Sequence, residues 1–181
     1  MSETPKTAVV VLDMISGYEF EDADVLARAS AEAIEPLAGL LDRARKQGVP
    51  VIYVNDNFGD WNSSAEELAR HGLEGNHPEL VEPILPAEGD SFVIKARHSG
   101  FYETPLEHLL RQLEVRRVVL AGQATEQCVL YSALDAYVRD FEVAVARDAC
   151  AAIDPELEEA ALRMIEHNMS GEIVSAAECP L

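Results

Sequence analysis

The 181-residue chain reads as an α/β protein, a parallel sheet with helices on both faces. Short β-branched or apolar runs such as TAVVVLD, VIYVN, SFVIK and RRVVLA have no polar face, as strands buried on both sides require. Between them lie longer stretches whose apolar residues recur at helical spacing. The two kinds alternate along the chain, and a βαβ series closes most simply into a parallel sheet.

In order, strands are predicted at about 7–13, 50–55, 91–95, 117–122 and 142–146, with a short last one near 172–176. Helices are predicted at roughly 22–47, 64–70, 104–113, 126–139 and 155–168. End signals support several of them. Gly48 supplies a stop for the first helix, while Thr104 before Pro105 and Asp154 before Pro155 supply starts. The segment VLYSALDAYVRDF is apolar on more than one helical face and therefore needs several neighbours.

Length and charge bound the function. A chain of 181 residues supports one sizeable core, so residues 1–181 are expected to form one domain. The net charge of −19 repels phosphate backbones and argues against nucleic acid as a partner. Apolar runs are too short to span a bilayer, and there is no basic segment followed by an apolar one, so a cytoplasmic protein without membrane contact is expected. Cysteines at 128, 150 and 179 are odd in number and widely spaced, which suits a reducing compartment.

Candidate chemistry lies at strand ends. In open α/β sheets, ligands bind outside the carboxyl ends of the strands. Asp13 closes the first strand, Lys95 closes the third, and Cys128 follows the fourth where a helix is predicted to begin. A thiol there meets unpaired backbone N–H groups and the positive end of the helix dipole, which favour a thiolate. Rival chemistries lack their residues. A Cys-x5-Arg phosphatase would need arginine where Leu134 stands, and there is no GxxxxGK[ST], GxGxxG, CxxC or GxSxG string.

With these residues in place, the chain resembles the isochorismatase-like cysteine hydrolases, which include nicotinamidases, N-carbamoylsarcosine amidases and ureide or lactam amidases. VVVLDM, KARHSGFYETPLEHLL and GQATEQCVLYSALDAYVRDFEVAVARDAC carry the resemblance. It implies a three-layer αβα fold with six parallel strands in the order 3-2-1-4-5-6. It also implies a catalytic triad of Asp13, Lys95 and Cys128, an oxyanion hole from the N–H groups of Ala124 and Cys128, a cis peptide before Ala124, and a homodimer or homotetramer. Two departures stand out. Nicotinamidases carry a metal-binding Asp-x-His after the second strand, whereas here Asn57 and Phe58 follow Asp56 and the next histidine is His71. No metal or other cofactor is therefore expected. Glu126 stands where the family usually has a shorter Asp or Asn.

The implied reaction is metal-independent hydrolysis of a C–N bond in a small amide, ureide or lactam through a thioester, with water as second substrate. Alternatives on the same fold are an isochorismatase-type hydrolase of another metabolite and a non-catalytic binding module. Loops around the sheet edge offer Tyr18, Phe20, Asn55, Asn57, Phe58, Trp61, His98, Phe101 and Tyr102 as substrate contacts.

Overall fold

The alternation along the first strand decides how the layers form. In β1 (Thr7–Leu12) every residue is buried, and successive side chains point to opposite faces. Val9 and Val11 pack on one side with Leu37 and Leu41 of α1 (Ala23–Gln47), and Val10 and Leu12 pack on the other with Leu106, Leu110 and Leu162. Each fully buried Val or Leu stabilises the fold by about 1.5–3 kcal/mol, so one strand anchors both layers. A computed structural model describes residues 6–181.

The remaining elements are β2 (Val51–Asp56), α2 (Ala65–Glu74), α3 (Pro78–Val81), β3 (Ser91–Lys95), α4 (Leu106–Gln112), β4 (Arg117–Gln123), α5 (Leu130–Tyr137), β5 (Glu142–Ala151), α6 (Pro155–Met169) and β6 (Glu172–Val174). The six strands are parallel in the order β3-β2-β1-β4-β5-β6, as the family resemblance implied. α1 to α3 cover one face and α4 to α6 the other. Among the described residues no helix is long and apolar enough to cross a membrane.

Most end signals work as read. Gly48 is left-handed at φ 69°, and Asp154 accepts from the N–H groups of Glu156 and Leu157 at 2.8 and 3.2 Å. Thr104 acts one turn earlier than a simple cap: its hydroxyl bonds to the carbonyl of Gly100 and accepts weakly from Leu106, and α4 starts only at Leu106. Helix α2 runs four residues past the expected end. Its start is a reciprocal capping box of Ser64 and Glu67. The short α3 was not expected, and β5 runs five residues beyond its predicted end. Arg147 and Asp148 interrupt its apolar pattern where the register against β4 shifts, and pairing resumes at Cys150.

Gly122 fixes how closely β4 approaches β1. Its φ is 121°, and a Cβ there would lie 2.1 Å from the carbonyl oxygen of Leu12. Gly122→Ala must therefore part the two central strands or strain the turn, at a cost of about 3 kcal/mol or more. The expected melting temperature falls by roughly 6–12 °C. A thermal scan of the variant within about 2 °C of the parent would show that the strands relax freely.

Candidate active site

Sheet order converts three distant residues into neighbours. β1 and β4 lie side by side at the point where the strand order reverses, so Asp13 and the turn carrying Cys128 share one crevice. Lys95 starts two strands away. With strands about 4.8 Å apart, only a long side chain can cross from β3 to β1. Its Nζ reaches Asp13 Oδ2 at 2.8 Å and Cys128 Sγ at 3.7 Å, and its residue is only 2% exposed.

Asp13 is held from both sides. It takes a left-handed φ of 53°, donates its N–H to the Val54 carbonyl at 3.0 Å, and accepts at Oδ1 from the N–H of Asp56 at 2.7 Å. From the β4 side, Gln123 Nε2 donates to the Asp13 carbonyl at 2.7 Å. The Gln123 amide is itself fixed, because Oε1 accepts from Ser30 Oγ at 2.7 Å and Tyr18 Oη at 3.2 Å.

The turn carrying Cys128 departs from the expected start of an ordinary helix. The Gln123–Ala124 peptide is cis, and residues Thr125–Val129 form a π turn before α5 begins. The carbonyl of Ala124 accepts from both Gln127 and Val129 at 3.1 and 3.2 Å, the second bond closing the wider turn. Thr125 Oγ1 ties the turn to the Ala151 carbonyl at 3.1 Å. Glu126 extends the tie. Its Oε1 accepts from the N–H groups of Ile153 and Asp154 at 2.9 and 3.1 Å, while its buried Oε2 has no partner among the described residues. The longer Glu thus reaches the β5–α6 connection.

Electrostatics correct the expectation of a ready thiolate. Burial pushes the Cys128 thiol up, the Asp13 carboxylate pushes it further, and Lys95 opposes only in part. Burial also raises Asp13, against the pull of Lys95. Lys95 itself is raised, because the charges of Asp13, Cys128 and Asp56 outweigh the burial that lowers it. All three shifts favour the protonated forms, of carboxyl and thiol as well as of the Lys95 ammonium beside them.

Beside Lys95 opens a cavity of about 290 Å³. Three of the expected contact residues line it, namely Asn57, Trp61 and Tyr102. Asp60, Ser63, Ile94, Ala96 and Glu103 line it as well and were not singled out in the sequence. The other expected residues lie elsewhere. Phe101 sits in the apolar layer against Phe141, and the Asn55 amide pins residue 15 through both its N–H and its carbonyl. Tyr18 is buried on Gln123, Phe20 stacks on Tyr18, Phe58 is exposed beside His71, and His98 is exposed against Tyr131.

The donors after β2 do not fit a divalent metal. Asp56 accepts from Phe58 N–H at 2.8 Å and faces Lys95 Nζ at 3.6 Å, a cation where a second cation would have to sit. His71 faces Glu19 and His77 bonds Glu79. Among the described residues no group of three or more His, Cys, Asp or Glu is placed to hold a metal.

Comparison with known proteins matches residues 7–178 to the isochorismatase domain. The chain is 34% identical over 175 residues to the isochorismatase family protein YaaI of Bacillus subtilis, covering 97% of this chain and 96% of that protein. It is 31% identical over 191 residues to the ureidoacrylate amidohydrolase RutB of Caulobacter segnis, covering 90% and 80% respectively. Among solved structures, N-carbamoylsarcosine amidase from Thermoplasma acidophilum superposes with a TM-score of 0.75 at 28% identity, covering 97% of this chain and 99% of that one.

Proposed function

The chain belongs to the isochorismatase family, and from that premise we propose that it is a metal-independent cysteine amidohydrolase acting on a small amide, ureide or lactam. The relatives named as ureidoacrylate amidohydrolase and N-carbamoylsarcosine amidase support C–N bond hydrolysis. The observation that carries the cysteine mechanism is the placement of one buried ammonium 2.8 Å from a carboxylate and 3.7 Å from a thiol.

In this reading Asp13 takes the Cys128 proton as sulfur attacks the carbonyl carbon, so the raised carboxyl is matched to its task. The charge moves from carboxylate to substrate oxygen, where the N–H groups of Ala124 and Cys128 receive it. Asp13 then returns the proton to the leaving nitrogen as the C–N bond breaks, and a thioester remains. Water, deprotonated by Asp13, releases the acid and restores the thiol. Lys95 stays charged throughout and offsets whichever neighbour is anionic.

Incubation with a panel of amides and ureides followed by intact-mass spectrometry tests the reading. A mass increase equal to an acyl group, mapped to Cys128, is expected from a substrate, and its absence during observed turnover would reject the thioester. Metal independence is expected alongside. Chelator treatment or added zinc should change activity less than about twofold, because no donor set follows β2. Stoichiometric metal lost together with activity on dialysis would contradict it.

A further inference from the structure

We infer that this cavity selects amides whose far end carries a positive charge, an inference that rests on the amidohydrolase reading and adds the substrate class to it. The cavity beside Lys95 has two exposed carboxylates in its wall, Asp60 and Glu103. Glu103 makes no ion pair among the described residues, and Asp60 accepts only a local bond from the N–H of Asn62 at 2.9 Å. The one cation in the lining is Lys95, already held by Asp13 at 2.8 Å and facing Asp56 at 3.6 Å. Nothing in the lining is left to neutralise a substrate carboxylate.

Two aromatic rings complete the argument. Trp61 is 81% exposed and Tyr102 52% exposed, and both border the cavity. An aromatic face within about 6 Å attracts an ammonium or guanidinium, most strongly when carboxylates stand nearby. The chain's charge of −19 acts in the same direction at longer range, drawing cations and repelling anions. Arg97 follows closely in sequence but is exposed and outside the lining. Ureidoacrylate, named for one relative, is an anion, so the predicted preference separates this chain from that substrate class.

Trp61 is the chain's single tryptophan and so reports directly on the cavity. Three amides of similar length distinguish the charge effect: 4-aminobutanamide (cationic), pentanamide (neutral) and succinamate (anionic). Titrated into the Cys128→Ala protein and followed by Trp61 fluorescence, the cationic amide should bind at least about tenfold more tightly than the anionic one. Raising salt from about 0.01 M to about 1 M should shrink that ratio, since screening shortens from roughly 30 to 3 Å. Glu103→Lys in the same background should reverse the preference. Equal binding, tighter succinamate, or no binding of any of the three would overturn the inference.

Parallel kcat/KM measurements on the unmodified enzyme separate it from the underlying reading. Preferred binding of the cation without acyl transfer to Cys128 from any amide would sink the amidohydrolase reading and leave the charge preference standing. Acyl-enzyme formed equally well or better from succinamate would retain the hydrolase and sink the cation preference, the outcome expected if Arg97 folded inward.

Discussion

Cys128→Ala is expected to lose turnover by about 10⁶-fold, to the limit of detection, while the protein still folds. No other thiol can substitute. Cys150 and Cys179 are buried, and burial pushes their thiols up to about 12 and about 11 with no lysine beside them. Deleting one sulfur from a residue already 8% exposed should cost only about 1 kcal/mol. Steady-state hydrolysis and thermal unfolding on the same preparation provide the check. Measurable activity in a folded Cys128→Ala protein would refute nucleophilic catalysis by this residue.

Lys95→Met and Asp13→Asn should separate the two roles around the thiol. Removing Lys95 leaves a buried Asp13 without its cation, a loss of about 3–5 kcal/mol, and takes away the group that lowers the thiol. Alkylation of Cys128 by iodoacetamide at neutral pH should therefore slow. The pH dependence of stability follows from Asp13. Its folded value is already raised by burial and rises further without Lys95, so its contribution is fully present below the ordinary carboxylate range, about pH 4. That contribution is lost as pH climbs through the raised value. Lys95→Met should accordingly regain stability in acid relative to the parent.

Asp13→Asn acts in the opposite direction on the thiol. After burial, the Asp13 charge is the second cause that raises Cys128, so its removal brings the thiol down and should quicken alkylation. Turnover should still fall by about 10³-fold or more, because no base remains to carry the proton. A pH series of alkylation rates beside steady-state rates reads both effects. Unchanged profiles with near-normal turnover in both variants would reduce the two charges to structural neighbours.

The meeting of Asp13, Lys95 and Cys128 was legible because each is a reactive residue at or just after the end of an apolar run, and the sheet gathers strand ends. Gln123, Ser30, Thr125 and Glu126 were harder to assign. Their task is to bond buried backbone or one another, and a lone polar residue in a sequence carries no sign of which distant partner it will meet. The π turn was read as plain helix for a related reason. Its residues have helical spacing, and the wider loop is set by tertiary ties to Ala151, Ile153 and Asp154. Nothing in the sequence marks Asp60 and Glu103, since only the cavity shows that they border the same space.

The tie between Gln123 and Asp13 spans 110 residues, and that between Lys95 and Cys128 spans 33. Contacts of such separation form late, after the loops between them have closed. The turn carrying Cys128 further needs Ala151, Ile153 and Asp154 for its anchors, so a chain still emerging from synthesis holds all three reactive side chains before it can hold them together. The native alkylation rate of Cys128 is therefore expected to appear only with the last stage of folding. A refolding molecule with native-like helices but an unfinished β4–β5 pairing is expected to carry Cys128 without its Lys95 and Asp13 neighbours in place.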